Sequence, residues 1–203
     1  NAMKATQSEI GLSEKSRRRG AALAAGWFLF TSLFPLHAWA GPIADPGAPA
    51  GQRPAVTTTP TGVPMVNIAA PNAAGLSYNR YERFDVDPVG LLLNNSTTPQ
   101  VSALGVAIPA NPNLAGASAS TILNQVVTAL PSQLNGPLAV LGAPARVIIA
   151  NPNGITCNGC AFINTPQVQL TTGTPGFLDG GGNTVPFEQA SALSYQVSGG
   201  RIE

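Results

Sequence analysis

From Met65 onward the chain is a succession of short apolar runs, each closed by asparagine, glycine or proline, and that punctuation favours many short strands. MVNIA (65–69), VGLLLNN (89–95), ARVIIANPNG (145–154) and FINTPQVQLTTG (162–173) repeat the theme. GLSYNRYERFDV (75–86) sets Leu76 and Tyr78, then Phe84 and Val86, at two-residue spacing. One stretch dissents. ASTILNQVVTAL (119–130) places Ile122, Leu123, Val126 and Leu130 at i, i+1, i+4 and i+8, the pattern of an amphipathic helix. Its β-branched Thr121, Val126, Val127 and Thr128, and its strand-like neighbours, favour a strand instead. The expected class is all-β. LLL (91–93) and VII (147–149) are apolar without alternation, which indicates strands covered on both faces or packed in parallel. Asparagine at recurrent corners suits a parallel β-helix, where the side chains stack and tolerate the left-handed region. No fixed period accompanies these corners.

The N-terminal part of the 203 residues has a different character. Asn1-Ala2-Met3 reads as a cloning remnant ahead of a native start. Lys15 and Arg17 to Arg19 form a basic run, residues 20–36 carry no charge, and Ala38-Trp39-Ala40 followed by Gly41 has the small-x-small form of a signal-peptidase site. Residues 1–40 are therefore expected to be a remnant plus a cleaved leader, with the cut between Ala40 and Gly41. The uncharged run is at the short end of what a membrane-spanning helix needs. Residues 41–62, with Pro42, Pro46, Pro49, Pro54 and Pro60, have no apolar period and read as an extended, linker-like lead-in. The working domain is expected over 63–203.

Composition narrows the chemistry. After Ala40 the chain holds five arginines and no lysine against seven acids, a net charge of −2. Nucleic-acid binding needs clustered cations to replace phosphate counterions, and these are scattered. The one histidine, His37, lies in the leader, so the commonest general base and metal ligand is lost with it. No cofactor, metal site or catalytic set is expected. Asp85 and Asp87 in RYERFDVD (80–87) could serve as paired carboxylates of a glycosidase. Two acids two residues apart on one strand read better as a solvated face with cross-strand ion pairs.

Two short motifs remain. Asn111-Pro112-Asn113-Leu114 and Asn151-Pro152-Asn153-Gly154-Ile155 each follow an alanine. Proline fixes φ at the second turn position, and asparagine accepts positive φ at the third, so Asn113 and Asn153 are the expected left-handed residues. Gly154 relieves what strain is left. Taken singly, each is an ordinary turn. Just beyond the second lies Cys157-Asn158-Gly159-Cys160. A redox site needs a βαβ setting, which is not visible. Zinc needs four ligands. A disulfide, common in exported chains, is the favoured third reading. It would close a four-residue loop and contribute about 2 kcal/mol.

Together, NPNL followed by NPNGI resembles the secretion domain of two-partner secretion exoproteins of the filamentous-haemagglutinin type. FDVDPVGLLLNNS (84–96), VIIANPNGI (147–155) and INTPQVQLTTGTP (163–175) resemble it as well, and the likeness runs from about Val63 to the C-terminus. The resemblance implies a right-handed parallel β-helix with an N-terminal cap and a small extra-helical sheet. It implies recognition by the periplasmic domains of a dedicated outer-membrane barrel transporter, export through the periplasm to the surface or medium, and nucleation of β-helix folding in a longer exoprotein. The chain is expected to be a monomeric N-terminal fragment that meets the membrane only in transit. Residues 111–114 and 151–155 would be the secretion motifs, with their Asn and Ile side chains and free strand edges displayed to the transporter. Some members of the cytolysin and contact-dependent inhibition branches carry a similar C-x-x-C after NPNGI. That likeness and GLLLNNS lean towards a contact-dependent growth inhibition exoprotein; adhesins and cytolysins share the domain. A β-helix polysaccharide lyase is the rival from another class, and it would need a basic groove.

Overall fold

The structure is a computed structural model and describes residues 41–101 and 107–203; the basic and apolar runs and Ala38-Trp39-Ala40 lie outside the described residues. Sixteen strands follow in order: β1 (Ile43–Ala44), β2 (Ala55–Thr58), β3 (Pro64–Asn67), β4 (Leu76–Arg83), β5 (Leu91–Asn95), β6 (Gln100–Val101), β7 (Ala107–Ile108), β8 (Thr121–Val126), β9 (Ser132–Leu134), β10 (Pro137–Gly142), β11 (Arg146–Ala150), β12 (Ile155–Cys157), β13 (Ala161–Ile163), β14 (Val168–Thr171), β15 (Gly173–Leu178) and β16 (Ala192–Val197).

The pairing is that of a coil. One face stacks β3, β5, β10 and β13 in parallel, and a second stacks β4, β8, β11 and β14. A narrow third face joins Val86 to β9, β9 to β12, and Ile155 to Ile202. The chain visits the three faces in the same order four times, which is a parallel β-helix. Antiparallel β1 on β4 and β2 on β3 cover the first coil. Antiparallel β15 and β16 form a hairpin outside the helix.

Burial explains the unalternating runs. Val147 and Ile149 point into the coil with Val66, Leu93, Ile122, Val140 and Phe84. Ile148 points out, but the hairpin covers it: Tyr78, Leu123, Ile148, Phe177 and Phe187 make a second apolar cluster. Tyr78, Phe177 and Phe187 meet pairwise at ring separations of 4.9, 5.5 and 5.7 Å, a geometry that adds to area burial. Residues 119–130 supply β8, not a helix, because Ile122 and Val126 face inward while Leu123 faces the hairpin. Both sides of that strand are apolar for a reason no helical wheel would provide.

Two expectations are corrected. Residues 41–62 are not a linker. They form the cap, with Ala48 buried, Arg53 donating to the Ala48 carbonyl and Asp45 paired to Arg80 at 3.0 Å. Pro42, Pro46, Pro49, Pro54 and Pro60 all fall outside the two cap strands, so none interrupts a ladder. Nor is RYERFDVD a solvated face. β4 ends at Arg83, and the chain turns a corner that buries Phe84 and leaves Asp85 only 6% exposed. Asp85 accepts the Gln133 N–H at 2.8 Å and meets Arg83 at 3.5 Å. Burial nonetheless raises its carboxyl above the usual range, against the Gln133 bond and Arg83. That carboxylate is spent on the fold.

Candidate functional site

The two Asn-Pro-Asn corners are built alike. At the first, Asn111 precedes a one-turn 3-10 helix, Pro112–Leu114, and its Oδ1 accepts the Asn113 N–H at 2.9 Å. At the second, Asn151 Oδ1 accepts the Asn153 N–H at 3.0 Å, and the Gly154 N–H closes on the Asn151 carbonyl at 3.1 Å. Asparagine before proline suits this local bond, which replaces a backbone turn bond with a side-chain one.

The opposite end of each amide does the long-range work. Asn111 Nδ2 donates to the carbonyls of Ile68 (3.0 Å) and Asn94 (2.8 Å), so one side chain bridges the first coil and the second. Asn113 Nδ2 adds bonds to Asn67 and Ile68, both at 3.2 Å. Asn151 Nδ2 donates to Leu130 O (2.9 Å) and Ser132 Oγ (3.0 Å), and Asn153 Nδ2 to Thr128 O (2.7 Å). The second corner thereby holds the 127–131 loop of the coil before it. Leu114 and Ile155 follow into the core, each 1% exposed.

The left-handed residues are not those expected. Positive φ falls on Ala115 (47°) and Gly154 (114°), while Asn113 and Asn153 keep negative φ. The bond from their own N–H to the first asparagine holds them in the turn, and the reversal moves two residues on at the first corner and one at the second. At Gly154 a Cβ would stand 3.0 Å from Arg201 O, so glycine serves close approach as well as conformation. The expectation of display is also corrected. Asn111 is 4% exposed and Asn151 is fully buried, so neither side chain is displayed at the surface. Of the two motifs, only Pro112 and Asn153 are exposed.

Cys157 and Cys160 are joined in a disulfide with a Cα–Cα distance of 5.3 Å. Gly159 takes φ of 86°, and the Asn158 N–H donates to Leu134 O, so the bridge closes a turn between β12 and β13. The structure adds asparagines that the motifs did not single out. Asn94 Nδ2 bonds Asn67 Oδ1 at 2.8 Å one coil below. Asn95 clamps Ala119 and Ala143. Asn124 accepts from the buried Tyr81 hydroxyl and donates to Ile148 O. The signal for Asn67, Asn94 and Asn95 was their place at strand ends and the spacing of about one coil, whereas Asn124 lies inside β8. Asn72 had no such signal, since its partners Phe187 and Ala190 lie 115 and 118 residues away.

A family model described as the TPS secretion domain matches residues 40–200. The chain belongs to the TPS secretion domain family. The match takes in the cap, so the resemblance does not begin at Val63. The chain is 42% identical over 172 residues to "Toxin CdiA" of Yersinia pestis, covering 83% of this chain and 5% of that protein. It is 50% identical over 140 residues to "tRNA nuclease CdiA" of Yersinia mollaretii, 68% of this chain and 5% of that one. Against the "Hemolysin" of Serratia marcescens it is 47% identical over 122 residues, 60% and 8%. The chain thus spans under a tenth of the length of these relatives. The crystal structure of the filamentous hemagglutinin secretion domain superposes with a TM-score of 0.66 at 36% identity, covering 80% of this chain and 48% of that one. A TPS domain is a targeting domain for export, not a catalyst, and the β-helix with its buried asparagine corners is how this TPS domain is built.

Proposed function

We propose that the domain is recognised in the periplasm by the periplasmic domains of a partner outer-membrane transporter, and that the contact is made at the cap rather than at the asparagine motifs. The observation that carries this reading is the free edge of β2. All four residues, Ala55–Thr58, are exposed. The strand pairs only with β3 among the described residues. The Thr59 N–H bonds Val63 O, and Thr58 lies opposite Pro64, which has no N–H. By alternation the backbone groups of Val56 and Thr58 face away from β3. An edge with no lysine, proline or bulge is a template for another strand. An open groove lined by Pro42, Ile43, Val56 and Thr58 runs beside it.

The experiment is Val56→Pro, which removes an outward N–H without touching the β2–β3 ladder. Release of the exoprotein into the medium should fall at least tenfold, with thermal stability unchanged within a few degrees. Wild-type release from the folded variant would end this reading.

The rest of the proposal follows the same domain. Signal cleavage after Ala40 would free Gly41, whose carbonyl accepts from Arg83 Nε; N-terminal sequencing of the exported protein tests it. The capped first coil leaves one direction for further coils to stack, which suits nucleation of a longer, monomeric β-helix. The CdiA relatives favour a contact-dependent growth inhibition exoprotein. The Serratia relative supports a haemolysin as the second reading.

A further inference from the structure

The hairpin does not cover the second face along its whole length. Toward the N-terminal ends of β4, β8 and β11 it leaves a cleft of ≈ 340 Å³ lined by Leu76, Thr121, Arg146, Ser191, Leu193 and Tyr195 among others. Leu76, Thr121 and Arg146 share one register row across three coils, so successive turns of the helix supply one wall. Tyr195 enters from β16. Gly173 makes room for it, since a Cβ there would come within 2.7 Å of Tyr195 Cβ.

The arginines of the described residues are otherwise occupied. Arg80 pairs with Asp45 at 3.0 Å, Arg83 with Asp85 at 3.5 Å and Arg201 with Glu203 at 2.7 Å. Arg53 donates twice to the Ala48 carbonyl. Among the described residues Arg146 meets neither a carboxylate nor a backbone carbonyl; its one partner there is the neutral amide of Gln169. Its Nε is buried without a partner among the described residues, and so is the Tyr195 hydroxyl. A half-buried guanidinium without counter-charge bears a desolvation cost that an anion offsets. Burial raises the Tyr195 phenol above its ordinary range, opposed only by Arg146. It therefore keeps its proton and can donate.

We propose that this cleft binds a carboxylate on a small hydroxyl-bearing body, the size of one acidic sugar residue. Arg146 Nε and the Tyr195 hydroxyl donate to the carboxylate. The hydroxyls of Thr121 and Ser191 meet those of the ligand, and Leu76 and Leu193 take its apolar side. The cleft is at the low end of the roughly 300–1,000 Å³ of ligand sites, which fits one residue rather than an oligomer.

The test is a titration of galacturonate, glucuronate and N-acetylneuraminate into the isotopically labelled full chain at fixed ionic strength, with galactose as the neutral control. The readouts are the Arg146 Nε–H resonance and the Thr121 and Leu193 amides. At least one acid should give saturable shifts, with galactose at least tenfold weaker. Arg146→Gln and Tyr195→Phe should each weaken binding at least tenfold. Tyr195→Phe deletes only a hydroxyl, so it decides the matter if Arg146→Gln misfolds. A galacturonate oligomer distinguishes the sources: equal response per chain end marks a glycan terminus, and exclusion marks a free acid. No saturable shift with any of the three acids, an equal response to galactose, or unchanged affinity in a folded variant would overturn the assignment.

Discussion

The two Asn-Pro-Asn corners share three residues and one local bond, yet they restrain different things. The first fastens an insertion, 96–118, onto coils that already pair through β3 and β5. The second lies on the path of the coil itself, between β11 and β12, and holds the loop of the preceding turn. Asn151 N–H also takes part in the ladder, donating to Thr171 O. The lesson is that a latch has the importance of what it closes. The first corner can open locally, whereas opening the second interrupts the helix.

Asn151→Ile should have the largest effect. It strips partners from the Asn153 N–H, Leu130 O and the buried Ser132 Oγ, and each group so stranded costs up to about 1–3 kcal/mol. A loss of roughly 3–6 kcal/mol is expected in urea denaturation, a large share of a domain's stability, and release into the medium should stop. Asn111→Ile strands the Asn113 N–H and Asn94 O, while Ile68 O keeps Asn113 Nδ2, and hydrogen exchange should show the opening confined to residues 96–101 and 107–118. Equal global destabilisation by both would break the comparison.

Reducing Cys157–Cys160 ranks next, at about 2 kcal/mol. The bridge pins the turn just after the second corner, so its loss should couple with Gly154→Ala and add independently to Asn111→Ile in double-mutant cycles. The left-handed residues of the two corners should respond with opposite signs. Gly154→Ala sets a side chain at φ of 114° and 3.0 Å from Arg201 O, and should cost about 1–2 kcal/mol. Ala115→Gly relieves a left-handed alanine and should gain about 0.5 kcal/mol in thermal unfolding.

Asp85→Asn should act chiefly through pH. Asp85 caps Gln133, beside the Ser132 that anchors the second corner. Its folded-state carboxyl is raised by burial, so folding favours the protonated form. That contribution is present below the unfolded value and lost as pH rises through the folded one. Wild type should therefore weaken relative to the neutral Asn variant as pH rises above the ordinary carboxylate range. A constant difference across that rise would assign the buried carboxylate no role in pH dependence.

The order of the β-helix was legible because its strands announce themselves locally. Unalternating VII and corner asparagines are consequences of parallel stacking, and both can be read without a structure. The cap was not legible. Its two strands are two and four residues long, flanked by prolines and largely exposed, and they become strands only by borrowing edges from β3 and β4. Asp85 was misread for a related reason: alternating charge looks like a solvated strand until the strand ends two residues sooner. In the motifs, the two asparagines and the following hydrophobe were legible as a unit. Their burial was not, because nothing local reveals that the amide's far end reaches into the next coil. Arg146 and Tyr195 are 49 positions apart in sequence and meet only because a hairpin folds back.

The bond from Asn72 to residues 187 and 190 sets an order of events. A polypeptide delivered from its N-terminus exposes Asn72 and Tyr78 early, while the strand-turn-strand that shelters them is still 115 residues behind. The interior of the coil can be sealed turn by turn, but its outer aromatic face stays bare until Phe187 arrives. Completion of the domain is thus timed by chain length, and a stalled or truncated chain carries a visible mark of its own immaturity.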